Sequence, residues 1–242
     1  MKDFFRFIWR AWKYRLGSNR AEIEKILATV KKGQNCIDIG AHKGAYTYWF
    51  SRAVGLTGHV DAFEPQPGLA ELLNKLIDDA DICNTEVHQL ALSNESGKAK
   101  LNVPVQRGGT PGATLERPNS TLQTQSIEVQ TTTIDEFYDG RFSRPISFIK
   151  CDAEGHELEI FNGGRKTIEE DTPVLLFECE VRHHSREKMF RTFEFLHSIN
   201  YTGFFFHKSE LHPLADFDPD IYQAPDMKHP ANNFLFYPRK QR

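Results

Sequence analysis

Two short, mostly apolar segments constrain this sequence more than any other feature. Residues 35–39 are followed by Gly40 and Gly44, and residues 60–63 end in Glu64. This order is typical of two adjacent parallel strands that hold a nucleoside at their carboxyl ends. Glycine allows a tight turn and a close approach to a ligand, and an acidic residue after the second strand accepts hydrogen bonds from ribose hydroxyls.

The spacing and charge of the glycine loop indicate which nucleoside it would hold. A dinucleotide-binding loop has the pattern Gly-x-Gly-x-x-Gly, whereas three residues separate the two glycines here. Asp38 precedes the loop, where its carboxylate would repel a pyrophosphate but suit an ammonium or sulfonium group. The pattern therefore favours S-adenosylmethionine (SAM). The structural alternative is that Asp38 only caps the next helix and the glycines only form a turn.

A second group of reactive side chains follows the apolar run at residues 146–151. Asp152, Glu154 and His156 come directly after this run, and Glu178 ends the next one. The carboxyl ends of strands are where open α/β sheets carry their sites. We therefore expect Asp152 and Glu178 to lie close together beside the nucleoside.

Carboxylates and histidines in one cluster can provide either a general base or a divalent metal site. Facing carboxylates repel unless a cation or a shared proton separates them. Lys150 could supply the positive charge, so magnesium is an alternative that we do not favour. We expect Asp152 to act at the acceptor with Glu178 and Glu154 beside it, and His156 or His183 to be the alternative proton acceptor. The structural alternative is a salt-bridge network around Lys150.

Strand and helix patterns alternate along the chain and predict an α/β fold with a doubly wound, seven-stranded Rossmann-like sheet. We expect residues 1–33 to form an N-terminal helical extension and residues 34–242 to form a single domain. Strands at 98–103 and 126–132 should pair antiparallel, and the long polar segment 104–125 between them should be a functional or disordered loop. The seven strands of the main sheet are predicted at residues 36–39, 59–64, 86–91, 146–151, 174–179, 203–207 and 233–237.

The amino-acid composition further narrows the class of protein. A chain of 242 residues with 39% hydrophobic and 26% charged residues is typical of a globular enzyme domain. The net charge of −3 gives no sign of a nucleic-acid partner. The four cysteines lack C-x-x-C spacing, which argues against zinc and redox sites. With neither a signal-peptide pattern nor an apolar run of about 20 residues, we expect a cytoplasmic protein; the oligomeric state stays open.

The first 20 residues are rich in basic and aromatic side chains. They hold six lysines and arginines against Asp3 alone. We expect this helix to pack on the core or to cover the site, as amphipathic helices commonly do. Peripheral contact of residues 1–16 with an anionic membrane is the alternative, because basic and aromatic helices are typical of membrane interfaces. The apolar stripe at helical spacing consists of Phe5, Ile8, Trp9 and Trp12.

Taken together, these motifs resemble the FkbM family of SAM-dependent methyltransferases over residues 34–237. The most specific element is Lys-x-Asp-x-Glu-Gly-x-Glu at residues 150–157; others lie at 38–44, 63–65, 133–137, 176–178 and 233–236. The resemblance implies methylation of an oxygen, often a hydroxyl on a sugar, glycan or small natural product. His42 stands where the family commonly has asparagine. The cofactor-binding residues are expected to be Asp38, Gly40, Ala41, His42, Gly44, Glu64, Pro65, Ala91 and Leu92.

A function from another class stays open at this point. The chain could bind SAM or another nucleoside without catalysis and serve as an interaction module, including one at a membrane. The carboxylate cluster argues against this alternative, because a pure binder has no use for it. A nicotinamide-dependent, sugar-modifying enzyme is weaker still, since no Tyr-x-x-x-Lys dyad supports it.

Overall fold

Eleven strands form two sheets in the computed structural model, which describes residues 2–17, 19–105, 112–116, 123–140, 145–181 and 185–239. In chain order the strands are β1 Asn35–Ile39, β2 His59–Phe63, β3 Thr85–His88, β4 Ala91–Leu92, β5 Gly97–Pro104, β6 Thr124–Thr132, β7 Ile146–Cys151, β8 Val174–Glu178, β9 Tyr201–His207, β10 Glu210–Pro213 and β11 Asn233–Pro238.

The main sheet has the spatial order β10-β9-β11-β8-β7-β1-β2-β3. Strands β3, β2, β1, β7 and β8 pair in parallel, and β11, β9 and β10 are antiparallel to their neighbours. The prediction of seven strands was wrong for the described residues, because β10 adds an eighth. Lys208 and Ser209 connect β9 to β10 with φ of 50° and 66°. Two such residues form the tight hairpin turn, but Lys-Ser lacks the Asn-Gly signal that would reveal it.

The second sheet has the order β4-β6-β5. The strands predicted at 98–103 and 126–132 correspond to β5 and β6, and their predicted antiparallel pairing is confirmed, with Lys98 opposite Gln130. The predicted strand at 86–91 was wrong, because the chain divides it between the two sheets. β3 pairs with β2, whereas Ala91 and Leu92 form β4 and pair with Thr131 and Thr132 of β6.

Helices cover both faces of the main sheet. One core layer joins α1, α2 and α3 to the sheet, and α4 packs on Ala62 of the same face. In the other layer, helices α5, α6, α7 and α8 pack on the opposite face of the sheet. Because both faces are covered, every residue of β1 is buried. The helices are α1 Lys2–Leu16, α2 Arg20–Thr29, α3 Ala45–Val54, α4 Pro67–Asp79, α5 Ile134–Tyr138, α6 Glu157–Gly163, α7 Arg165–Asp171, α8 Arg186–Ser198 and α9 Pro219–Tyr222, with a 3₁₀ turn at Leu214–Asp216.

Helix α1 packs on the core, but with a different face from the one that its apolar pattern predicts. Phe7 and Ala11 are fully buried, and the Trp49 indole donates a hydrogen bond of 2.8 Å to the Ala11 carbonyl oxygen. Phe5 and Trp9 are 66% and 63% exposed. The expected stripe is therefore not the packing face, because the aromatic side chains of α3 select Phe7 instead. Among the described residues, no helix is long and apolar enough to cross a membrane.

Candidate active site

A cavity opens at the carboxyl ends of β1, β2 and β7, next to β4 of the second sheet. This is the edge at which open α/β sheets bind ligands. Most of the side chains that the sequence singles out meet here. Those that line the cavity are Gly40, Ala41, His42, Glu64, Pro65, Ala91, Leu92, Asp152, Glu154 and His156.

Four of the expected site residues do not line the cavity or lie outside the described chain. Asp38 and Gly44 are next to the cavity but do not line it, and neither does Glu178. His183 belongs to the segment 182–184, which lies outside the described residues. The roles of these residues therefore stay predictions.

Glu64 is the most firmly held acidic side chain of the cavity. It is 3% exposed, and its two carboxylate oxygens accept hydrogen bonds of 2.9 Å from the backbone N–H groups of His42 and Gln66. Burial raises its pKa, while these two hydrogen bonds oppose the rise. The Gln66 side chain also hydrogen-bonds this carboxylate. A carboxylate has about four acceptor positions, so it can still receive a donor from a ligand.

The two glycines of the loop are required by the packing of the protein itself. Gly40 has φ of 70°, and a Cβ at this position would collide with the backbone carbonyl oxygen of Asp152. A Cβ on Gly44 would meet Leu73 and Phe7. The missing side chain of Gly44 thus lets α1 and α4 approach the loop, and its contact with a ligand stays a prediction.

His42 also has a left-handed backbone, with φ of 50°, although it is not glycine. Burial, followed by the cations Lys43, Arg10 and Lys150, lowers the pKa of His42 to about 4. The imidazole is therefore neutral near pH 7. Its Nε2 atom is buried and has no hydrogen-bond partner among the described residues. An unpaired polar atom of this kind in a cavity wall is suited to a ligand.

An ion network around Lys150 forms part of the cavity wall. The Lys150 ammonium is 3.8 Å from Asp38 Oδ1, 3.3 Å from Asp152 Oδ2 and 5.0 Å above the ring of Tyr46. Burial alone would lower the pKa of Lys150, but the two carboxylates raise it above its usual value. Thr47 donates a hydrogen bond of 2.6 Å to Asp38 Oδ2. Asp38 is thus held by the protein, and Lys150 fixes the orientation of Asp152.

Glu178 lies close enough to Asp152 for the two carboxyl groups to interact electrostatically. Burial, followed by the charges of Asp152 and Glu180, raises the pKa of Glu178 well above its usual range. A neutral Glu178 relieves the repulsion that facing carboxylates would otherwise suffer. Glu154 completes the cluster and has a left-handed backbone with φ of 51°.

His156 is held by a second polar network. Its Nδ1 atom is 2.7 Å from Glu116 Oε1, and its Nε2 atom is 2.9 Å from Ser93 Oγ. Lys188 Nζ lies 2.8 Å from Glu116 and 2.9 Å from Glu159. The hydrogen bond with His156, aided by Lys188 and opposed by burial, lowers the pKa of Glu116 to about 2. The ammonium of Lys188 thus supplies the positive charge between these two carboxylates.

Several side chains of this site were missed by sequence reasoning. Arg10 and Tyr14 of α1 line the cavity, and an Arg10 Nη1–H group lies 3.3 Å from the Lys43 carbonyl oxygen. No local pattern indicates this, because the contact joins segments far apart in the chain. Glu116 had a weak signal: it is the only acidic residue between residues 104 and 125. Thr114 connects the same segment to the site by donating to the Glu154 carbonyl oxygen at 2.7 Å.

A parallel set of strands with a glycine turn after β1 and a buried carboxylate after β2 is typical of α/β proteins that bind nucleoside-containing ligands. Residues 38–207 match the family model of the methyltransferase FkbM domain. This match covers most of the chain, so the protein belongs to the FkbM family of SAM-dependent methyltransferases. The resemblance found in the motifs is thereby confirmed.

Solved structures share the fold at low sequence identity. An FkbM methyltransferase from Methylobacillus flagellatus KT has a TM-score of 0.52 and 15% identity, over 98% of this chain and 55% of that one. This chain thus spans about half the length of that protein. An O-methyltransferase from Bacillus cereus, in complex with SAH, has a TM-score of 0.53 and 13% identity over 99% and 91% of the two chains.

An rRNA methylase from Streptococcus thermophilus has a TM-score of 0.50 and 10% identity over 91% and 95% of the chains. The fold is therefore shared by methylases of different acceptors, and the absence of a nucleic-acid partner stays a prediction. No curated protein sequence is significantly similar to this chain.

Proposed function

We propose that the cavity binds SAM and that the enzyme methylates a hydroxyl group on a sugar, glycan or small natural product. The observation that carries this proposal is the buried Glu64 carboxylate, which two backbone N–H groups orient in the wall of a cavity that Asp152 also lines. A buried, oriented carboxylate that retains acceptor capacity suits the hydroxyls of a ribose. Bound SAM would supply a methyl group that its sulfonium already activates.

The cavity walls fit the other parts of SAM. Apolar contacts from Pro65, Ala91 and Leu92 suit an adenine ring. The neutral His42, with its unpaired Nε2, suits a polar group of the methionine moiety. We assign Asp38 an indirect role, because its carboxylate is fully buried, accepts a hydrogen bond from Thr47 and lies 3.8 Å from the Lys150 ammonium.

Asp152 is the proposed acceptor of the hydroxyl proton. Its side chain is 30% exposed at the cavity, and Lys150 holds it in one orientation. Both ring nitrogens of His156 are already paired with Ser93 and Glu116, which makes His156 the weaker candidate. Holding a nucleophile and a base in the right geometry can supply about 7–11 kcal/mol in favourable model reactions.

The proposed acceptor side of the cavity is formed by the second sheet and by the segment that connects β5 to β6. Leu101, Gly112, Ala113 and Leu115 contribute to the lining. This segment lies within residues 104–125, and we propose that it selects the acceptor. The net charge of −3 does not favour a phosphate backbone as the acceptor.

Two substitutions separate SAM binding from catalysis. Glu64→Ala removes the proposed ribose acceptor and is expected to weaken SAM binding by about 1.5–3 kcal/mol, the range for a hydrogen bond to a charged group. Asp152→Asn keeps the shape and removes the charge, so it should retain SAM affinity and lose turnover. Calorimetry measures the first effect, and release of S-adenosylhomocysteine with cell-derived glycans and metabolites measures the second.

Glu128→Ala is the matched control, because Glu128 is 64% exposed on β6 and pairs only with Lys98 in the described chain; both readouts should be unchanged. Unaltered SAM affinity in folded Glu64→Ala protein would remove Glu64 from the site. Binding of SAM without release of product from any acceptor would favour the interaction module. Turnover is expected to persist in EDTA, and its restoration by magnesium would establish a metal requirement.

A further inference from the structure

Helix α1 has a second apolar face that points away from the core. Phe5, Trp9, Trp12 and Leu16 are 66%, 63%, 42% and 74% exposed. They follow one another at intervals of four, three and four residues, so they lie on one side of the helix. We call this row the aromatic stripe. The face that packs on the core carries Phe7 and Ala11 instead.

The aromatic stripe is not explained by the packing of the chain on itself. Trp12 touches Trp49 edge-on with a ring-centroid distance of 5.2 Å, and Phe5 touches Phe4. Trp9 and Leu16 are mostly open to solvent. Large apolar side chains scattered singly on a surface need no explanation, but a continuous row of them marks an interaction site.

Basic side chains flank the stripe. Lys13 Nζ lies 5.2 Å from the centroid of Trp9, and the Arg15 guanidinium lies 5.3 Å from that of Trp12. The Arg6 side chain is 62% exposed and pairs with Asp3, which is the only acidic residue among the first 20. The surface around the stripe is therefore positive.

We propose that the aromatic stripe docks on an anionic lipid bilayer, with α1 lying in the plane of the interface. Its aromatic and leucine side chains would enter the boundary between headgroups and acyl chains, and its cations would face anionic headgroups. A second copy of this chain is the competing occupant. Charge complementarity favours the bilayer, because a symmetric dimer through the stripe would bring the same cations together.

Docking has a consequence for the cavity, because the same helix contributes Arg10 and Tyr14 to its wall. A helix with its side chains is about 10–12 Å wide. The cavity wall would thus lie about one helix width from the headgroups. The membrane contact itself does not depend on the proposed function.

The test uses the full chain and vesicles of phosphatidylcholine with or without phosphatidylglycerol. The wild-type protein should sediment with the anionic vesicles, bind neutral vesicles far more weakly, and dissociate at high salt. The triple variant Phe5→Ser/Trp9→Ser/Leu16→Ser should lose about tenfold or more in partitioning. The control Leu56→Ser/Ile221→Ser removes side chains that are 85% and 59% exposed elsewhere, and should bind as the wild type.

Tryptophan emission provides a second readout. The chain has three tryptophans, of which Trp49 is buried, so vesicles should shift the emission of Trp9 and Trp12 to shorter wavelength. The proposal would be overturned if folded wild-type protein did not bind anionic vesicles. It would also be overturned if the triple variant bound them as tightly as the wild type. Sedimentation velocity tests the dimer: a wild-type dimer that becomes a monomer in the triple variant, without vesicle binding, would assign the stripe to a second copy.

Discussion

Gly40 shows how one missing side chain holds two strand ends together. The Asp152 backbone N–H donates to the Ile39 carbonyl oxygen at 3.1 Å, and the Asp152 carbonyl oxygen occupies the space of a Cβ on Gly40. The turn that carries His42 and the strand end that carries Asp152 are therefore packed backbone to backbone. The placement of the proposed base depends on this contact.

Gly40→Ala is expected to destabilise the protein by about 1–3 kcal/mol for the left-handed backbone alone. Displacement of the Asp152 carbonyl adds to this cost and should also weaken SAM binding. Urea unfolding and calorimetry measure the two effects. The matched control is Gly68→Ala in α4, where a Cβ meets no atom within 4 Å; it should be neutral or stabilise by up to about 1 kcal/mol. Equal stability of the two variants would contradict the packing argument.

Helix α2 contains a buried carboxyl group that works against folding. Glu22 is 4% exposed, and its Oε2 atom has no hydrogen-bond partner within the described chain. Burial raises the pKa of Glu22 from its usual 4.5 to about 7. Ile23 and Ile26 anchor the helix in the core, so Glu22 is held in place by the packing of its neighbours.

Glu22→Gln should stabilise the protein at alkaline pH. The unfolded chain loses the proton near pH 4.5 and the folded protein near pH 7, so the folded state binds more protons between these values and wild-type stability falls as pH rises. The penalty is absent below pH 4.5 and complete above pH 7, on the order of 3 kcal/mol. Unfolding free energies of both proteins at pH 5 and pH 8 test this.

The control for this measurement lies two residues further along the same helix. Glu24 has a side chain that is 54% exposed and pairs with Arg20. Glu24→Gln should therefore shift stability little, and by the same amount at both pH values. If the advantage of Glu22→Gln did not grow between pH 5 and pH 8, Glu22 would have an ordinary pKa.

Helix α1 links the stability of the whole molecule to its cavity. It covers Trp49 and Tyr46 on one side and lines the cavity through Arg10 and Tyr14. Deletion of residues 1–16 would expose this part of the core. Since loss of one buried aromatic side chain costs about 2–3 kcal/mol, the melting temperature should fall by about 4–12 °C. SAM affinity should fall as well.

Phe7→Ala separates the two faces of the helix. Phe7 is fully buried and belongs to the packing face, so this variant should lower the melting temperature while it retains vesicle binding. The deletion should lose both. Differential scanning calorimetry and vesicle sedimentation provide the measurements. An unchanged melting temperature after the deletion would show that α1 does not stabilise the core.

The local sequence was sufficient for strands β1, β2 and β7 and for the acidic residues Glu64, Asp152 and Glu154 that line the cavity. Short apolar runs that end in glycine or a carboxylate specify buried parallel strands, and the ends of such strands meet at one edge. Glu64 and Asp152 could therefore be placed in one cavity from the sequence. The family resemblance rested on the same segments.

Contacts between distant segments depended on the three-dimensional packing, since side-chain pairing across the chain leaves no periodic signal. The face of α1 that packs on the core carries Phe7 rather than Trp9, because Gly44 and the aromatic side chains of α3 provide a complementary surface for Phe7. Glu116 reached His156 across 40 residues of sequence. The sequence already suggested that Lys150 could supply a positive charge to the carboxylates, and the pairing of β1 with β7 adds Asp38 as its second acidic neighbour. The local pattern determines which elements form, and the convergence of those elements determines which side chains meet.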